Sequence, residues 1–312
     1  MLSSFLDALF QHALARSQPQ EAAKAEEFVS EIMNELFDRI KASALAQSDI
    51  KLAVNQVAIR INTMCLENSW ARSSAGCVGF KMLLTHELGR DHVIDRVVDV
   101  TRTLLHAMKG IPYELPTEIA KVKEVMSTAL RLSVAATKAE NSSNLSRINV
   151  GNLAGIYFTE LQGQNATVRK VAQESIELIS QLLGVPITEL LMPQRDRMLT
   201  SIYTKPLRAL PFAVQIGMID SVRYCLSLDP PLPELNEELL RLLHEALALA
   251  DAEDSSLMNR MNQRQSALEI VKLRVACIKL LTAAMPLTDC FSKQNTTRQR
   301  SVSLSTLLLC EK

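Results

Sequence analysis

His86 and His92, with Glu87 and Asp91 beside them, are the only group in this chain with the flavour of a metal site. Zinc takes imidazole and carboxylate donors that converge on a single point. A spacing of six leaves two imidazoles roughly 120° apart around a continuous helix, and Gly89 falls between them, so these residues read as a water-exposed helix junction. His106, near the end of its helix, reads as a partner for the last free carbonyls. His12 and His244 stand alone in their helices, with no acid or base constellation around them. The chain carries no GxGxxG or phosphate-cradling loop, no HExxH and no GxSxG. The sequence therefore assigns no catalytic, cofactor-binding or metal-binding residue, no cofactor and no small-molecule substrate. A helical enzyme would need a convergent polar site, and only His86 and His92 offer a start for one.

Six cysteines, Cys65, Cys77, Cys225, Cys277, Cys290 and Cys310, are scattered without CxxC spacing, and several lie on apolar helical faces. They read as buried thiols in a reducing compartment. The first ten residues lack a basic start and carry Asp7 inside the apolar run, so they read as an amphipathic helix and not a signal peptide. The N-x-[ST] matches at Asn141, Asn144, Asn165 and Asn295 are then fortuitous. No apolar run approaches the ~20 residues that cross a bilayer. Lysine plus arginine (34) balance aspartate plus glutamate (34), which leaves no basic footprint for direct nucleic-acid binding.

What remains is chemistry of contact. Trp70 and the pair Tyr157-Phe158 are the aromatic residues that could anchor a partner, although a core role is commoner for such residues. Twelve methionines suit adaptable grooves and ordinary core filling alike.

The elements that would position these residues are helices. In 312 residues there are 9 Gly and 11 Pro, 47% of residues are hydrophobic and 4% aromatic, a composition for a mostly helical protein. The periodicity predicts helices over Leu2–Arg16, Gln20–Ala42, a stretch capped by Asp49 and running to Leu66, Ser69–Leu88 and Asp91–Met108. Thr117 is the expected N-cap of the next, which ends near Lys138. Residues 139–150 contain the most polar stretch and are expected to be a loop. Helices resume near Asn152 and Asn165, the latter closed by Gly184-Val185-Pro186, and a shorter piece covers Pro193–Tyr203. The last confident helix is Gln265–Met285, stopped by Pro286.

The most informative segment is Thr204 to Asp254. Phe212, Val214, Ile216, Met218, Ile219, Val222, Cys225 and Leu226 recur mostly at three- and four-residue spacing, as one buried helical face requires. Asp229-Pro230-Pro231-Leu232-Pro233 then forbids helix. Leu235, Leu239, Leu240, Leu242, Leu243, Ala246, Leu247, Leu249 and Ala250 restore it, with Glu234, Glu237 and Glu238 expected in its first turn. Helix, corner, helix is the unit of an α-solenoid.

The wording of this segment resembles the TRRAP family, the transformation/transcription-domain-associated, PI3-kinase-related pseudokinases. The residues that carry the resemblance are Lys205 to Phe212, Gln215-Ile216-Gly217-Met218-Ile219-Asp220, Leu247 to Asp251 and Ile270 to Leu281. It extends over Asn68-Ser69-Trp70-Ala71-Arg72 and Gly76-Cys77-Val78-Gly79-Phe80-Lys81. The resemblance implies a piece of the long HEAT-type scaffold of such proteins, outside their kinase-like domain. It implies a nuclear protein without enzymatic activity, whose partners are transcription activators and subunits of SAGA-type histone acetyltransferase complexes. An unrelated HEAT-type adaptor in transport or trafficking is the alternative. The fold class expected is all-α, an α-solenoid of HEAT-like helical hairpins over residues 1–312. A faint repeat supports it: Ala166 to Ala172 and Val271 to Ala276 both set an arginine, Arg169 or Arg274, after an apolar residue near the start of an amphipathic helix. Residues 301–312 look unlike the expected continuation, which suggests a fragment or a truncated reading frame.

Overall fold

In the computed structural model, residues 4–6, 8–9, 19–43, 45–139, 144–254, 257 and 263–295 are described. Most of the expected opening helix, residues 140–143 of the polar stretch and the whole of 301–312 lie outside them. Among the described residues every regular element is a helix. In chain order these are α1 (Pro19–Ala42), α2 (Gln47–Cys65), α3 (Trp70–Thr85), α4 (Glu87–Asp95), α5 (Val97–Gly110), α6 (Pro116–Lys138), α7 (Asn144–Glu160) and α8 (Ala166–Leu183). There follow α9 (Ile187–Leu191), α10 (Arg195–Tyr203), α11 (Phe212–Leu226), α12 (Glu237–Asp251) and α13 (Gln263–Asn295), with short 3-10 turns at Met192–Gln194 and Leu207–Ala209.

The chain divides into two compact units, one of Met1–Tyr157 with Glu174–Gly184, the other of Phe158–Gln173 with Val185–Lys312. In the first, α2 and α3 are joined by four residues and pack along each other, as a helical hairpin must. The next hairpin is α5 and α6, and α3 also packs on α1, α4, α5 and α6. Because α3 is covered by so many neighbours, Ser73 to Phe80 are buried without a break. A helix apolar all round is a core helix, and its small residues allow the close approach. A Cβ on Gly76 would lie 2.6 Å from Cys65 Sγ and 2.7 Å from Cys65 N.

Several helix boundaries differ from those the sequence suggests. Asp49 lies inside the first turn of α2, whose cap position is Ala46. Thr117 lies inside α6, which starts at Pro116 because proline's missing N–H costs nothing there. The single helix expected over Asp91–Met108 is two, broken at Arg96. Val93 and Val97, the residues on either side of the break that are four apart, are both fully buried. Helix α7 begins at Asn144, within the stretch expected as loop and ahead of the expected start near Asn152. Glu234 precedes α12 and pairs with Arg195 at 2.9 Å, while Asn236 supplies the cap, its Oδ1 accepting from the Leu239 N–H at 2.8 Å. Pro286 does not stop α13.

In the second unit α13 packs along both α11 and α12. The elbow between α11 and α12 contains a cis Asp229–Pro230 bond. It is tied back by the Leu232 N–H donating to the Cys225 carbonyl at 3.0 Å, with Leu232 buried. The tightest junction in this unit lies where α8 starts. Asn165 caps the helix, its Oδ1 accepting from the Thr167 and Val168 N–H groups. Arg169, with 8% of its side chain exposed, then turns back to donate to the carbonyls of Gly163 (2.8 Å) and Gln164 (3.0 Å) and to Asp220 Oδ2 (2.9 Å) on α11. The same connection lies against Gly217, where a Cβ would come within 2.5 Å of the Gln162 carbonyl and 2.6 Å of the Gly163 carbonyl. Arg274 repeats the theme by donating to the Ala252 carbonyl (2.5 Å) and pairing with Asp254 (2.6 Å). It does so from well inside α13, not from near its start.

Two predictions follow from these buried polar groups. Arg169→Ala leaves the Gly163 and Gln164 carbonyls without their donor and Asp220 with only the longer Arg223 pair at 3.6 Å, and should cost about 3 kcal/mol. Gly217→Ala overpacks the same junction and should cost about 1–3 kcal/mol. Urea unfolding of the two single variants and the double variant tests this. Additive losses would show that the two residues do not share one junction.

Burial also pushes the Tyr157 phenol from its ordinary 10.0 up to about 12 and the Cys277 thiol from 9.0 up to about 12, and raises Cys65 and Cys225. These groups fold as neutral acids. Their contribution is complete below the ordinary values of 9.0 and 10.0 and is lost as pH climbs toward 12. The urea midpoint should therefore fall as pH rises above 9, and Tyr157→Phe should flatten the part of that fall above pH 10. An unchanged slope in Tyr157→Phe would remove the phenol from the account.

Candidate interaction surfaces

The residues with the most chemical potential in the sequence are engaged in holding helices. His86 is the cap of α4: its Nδ1 accepts from the Leu88 N–H at 3.2 Å and its Nε2 lies 3.1 Å from Asp38 Oδ1. Its ring stacks on Phe37 with centroids 5.2 Å apart. Glu87 pairs with Lys41 at 2.7 Å, and this pair holds the Glu87 carboxyl below its usual range. His92 faces elsewhere, into a groove against α2, where burial, aided by Arg96 and opposed by Asp95, holds its imidazole below the ordinary value. The structure does not bring His86, Glu87, Asp91 and His92 together, and no group of three metal-type donors converges among the described residues.

Of the aromatic candidates, Tyr157 (0% exposed) and Phe158 (1%) belong to the core, whereas Trp70, 42% exposed at the start of α3, is on the surface. His244 is held by its own helix, Nδ1 lying 2.8 Å from the Leu240 carbonyl. Cys65, Cys77, Cys225 and Cys277 are buried free thiols, as their placement on apolar faces suggested. Nothing is described of the side chains of His12, Cys290 and Cys310. Among the described residues no single helix is long and apolar enough to cross a membrane.

Three concave or apolar surfaces are available for contact. Between α2 and the α4–α5 pair, two adjoining hollows of about 380 and 240 Å³ share Asn55, His92 and Arg96. The α2 wall carries Leu52 and Ile59, which with Leu45 and Leu66 form an exposed line at intervals of seven. In the second unit a cavity of about 660 Å³ opens between the Arg208–Gln215 stretch and the end of α12. Apolar Leu210, Pro211, Phe212 and Leu249 share its lining with Arg208 and Asp251. Its first rim is the Leu-Arg-Ala-Leu-Pro-Phe wording on which the resemblance rests. The third surface is a face of α13, where Leu268, Val271, Val275, Ile278 and Met285 are all exposed. Sequence periodicity registered α13 as an ordinary amphipathic helix, because its buried set alone explains the three- and four-residue spacing. The signal for a second apolar face was present in the intervals of three, four and three residues from Leu268 through Val271 and Val275 to Ile278.

Comparison with known proteins places this architecture. The family described as the Tra1 HEAT repeat ring region matches residues 1–308. The chain is 35% identical over 232 residues to the SAGA complex/NuA4 acetyltransferase complex subunit Tra1 of Schizosaccharomyces pombe, which is 71% of this chain and 6% of that protein. It is 34% identical over 227 residues to the subunit TRA1 of Saccharomyces cerevisiae, again 71% of this chain and 6% of that protein. Against the transformation/transcription domain-associated protein of Homo sapiens the identity is 25% over 234 residues, 72% of this chain and 6% of the relative. The chain thus spans about 6% of the length of the curated relatives it matches. The all-α helical hairpins are HEAT repeats of an α-solenoid, and the chain belongs to the Tra1 HEAT repeat ring family.

Proposed function

We propose that this chain is a non-enzymatic scaffold segment of a nuclear transcription coactivator, and that residues 1–312 act through packed helical surfaces which dock transcription activators and subunits of SAGA-type histone acetyltransferase complexes. The observation that carries this reading is family membership over residues 1–308, with relatives named as subunits of the SAGA and NuA4 acetyltransferase complexes. The physical features agree with docking. The balanced charge gives the chain no net positive charge to favour nucleic acid, and the grooves present apolar area with polar edges, as protein interfaces do.

The test is to express the epitope-tagged chain in the cells from which it derives, locate it by microscopy, and purify it with blots for named acetyltransferase subunits. Nuclear signal and co-purified acetyltransferase are expected. Recovery of import cargo or vesicle-coat components in their place would overturn the reading and favour a trafficking adaptor. An antibody to residues 230–251, used on nuclear extract, separates two forms of the answer. A band far above 34.6 kDa assigns the function to a larger scaffold, and a band at that mass assigns it to this chain by itself.

A further inference from the structure

The chain has a single tryptophan and four tyrosines. Three of the tyrosines, Tyr157, Tyr203 and Tyr224, are at most 7% exposed. The fourth, Tyr113, is 81% exposed, and Trp70 is 42% exposed. Both stand at the turn of a hairpin: Trp70 opens α3 after the α2–α3 turn, and Tyr113 lies in the turn between α5 and α6. Hairpins of an array stack through the faces of their helices, so their turns form an edge that neighbouring repeats leave open. Exposure at such an edge does not depend on what precedes or follows the chain.

Two contacts fix how these turns sit beside each other. Ser74 on α3 donates its hydroxyl to Glu118 on α6, and further along the same helices Lys81 meets Glu124 at 3.7 Å. Contacts that advance in the same direction on both helices make α3 and α6 parallel neighbours. One helical turn before Ser74 and Glu118 come Trp70 and Glu114, so Trp70 and the Tyr113-Glu114 pair lie side by side at one level. Packed helices are about 8–10 Å apart, which leaves between the two turns a gap for one side chain.

The charges around the gap select that side chain. Arg72 is taken up by Glu67, and Lys121 by Glu26 at 2.7 Å and Glu118 at 3.3 Å. Glu114 is exposed and has no basic partner among the described residues; its carboxylate receives the Tyr113 hydroxyl. The edge thus offers two aromatic rings and one uncompensated carboxylate. An aromatic face attracts a cation within about 6 Å of its centre. A guanidinium meets both demands, because it is planar, stacks on rings and pairs with a carboxylate through two N–H groups. An acidic occupant would face Glu114 with a like charge, and an apolar one would leave it without a partner.

We infer that the α2–α3 and α5–α6 turns form a seat for an arginine side chain of a protein partner, held between Trp70 and Tyr113 and paired with Glu114. This rests on the scaffold reading and supplies the chemistry of one of its contacts.

Trp70 reports on its own seat, since no other tryptophan contributes to the emission. The experiment titrates the 312-residue chain with a short peptide of alternating glycine and arginine, and with counterparts carrying lysine or citrulline, the neutral analogue of arginine. The arginine peptide should change Trp70 emission saturably and bind at least roughly tenfold more tightly than the citrulline peptide, with lysine weaker than arginine. Glu114→Gln and Tyr113→Ser, both at exposed positions and each checked by an unaltered melting curve, should each weaken the arginine peptide by roughly threefold. Equal binding of arginine and citrulline, an emission that no peptide changes, or indifference to both variants would overturn the assignment. So would lysine binding as tightly as arginine, or a dimer in sedimentation that Tyr113→Ser dissociates, since the occupant would then be a second copy. If the arginine peptide fails while the tagged chain still recovers acetyltransferase subunits, the seat is wrong and the scaffold reading stands. If it binds with the expected preference and no subunit is recovered, the seat stands and the scaffold reading falls.

Discussion

A buried guanidinium cannot be left without partners, because the cost of removing a charge from water is recovered only by complete hydrogen bonding. Arg169 meets that demand by taking the carbonyls of Gly163 and Gln164 and the carboxylate of Asp220, and the second unit is organised around it. The connection before α8 must run where those carbonyls can reach the arginine. Helix α11 must then bring Asp220 to the same point, which presses its backbone so close to the connection that residue 217 has to be glycine. Ser201 adds a further tie, its hydroxyl donating to Gln162 Oε1 at 3.0 Å. One charged side chain thus fixes the register of two helices and the path of the segment between them.

The device recurs because helices leave carbonyls without partners at their ends. Arg90 on α4 donates to the carbonyls of Leu84 and Thr85 at the end of α3. Arg274 does the same for Ala252 after α12, and Arg241 for the Tyr203 carbonyl at the end of α10. In each case a helix ends, the chain turns, and an arginine from a later helix closes the exposed backbone. Histidine serves the same end at His86, whose ring caps α4 from one nitrogen and reaches Asp38 on α1 from the other. The polar residues that looked most capable of chemistry are thereby spent on joining helices.

This explains which parts of the architecture could be seen in the sequence. Helical periodicity is dictated by burial of one face, so α2, α6, α11 and α12 were legible from spacing alone, to within a few residues at their ends. The breaks were not. Arg96 interrupts a run that periodicity would continue, and Val93 and Val97, four apart, keep the same apolar spacing across the interruption, so the spacing carries no sign of it. Caps were misassigned where several candidates compete: Thr117 is a good cap by type, yet Pro116 is already a favourable first residue. The words around Arg169 and Arg274 were visible as a repeat, but their role depends on carbonyls that only the fold brings near. Trp70 and the Tyr157-Phe158 pair were equal as anchors by residue type, and packing alone separates the surface tryptophan from the buried pair.

The same logic bears on the surface. In a stack of hairpins an inner helix must be apolar on more than one side, since it touches a neighbour before and after it. Helix α3 meets that condition with small residues, and Ser73 to Phe80 are buried in sequence. Helix α13 is written in the same way, with one apolar set facing α11 and α12 and another facing outward. An outward set of scattered apolar residues would need no explanation. The outward set of α13 is regular instead, with Leu268, Val271, Val275 and Ile278 following at three, four and three residues, the spacing of a helix that can take a neighbour on each of two sides.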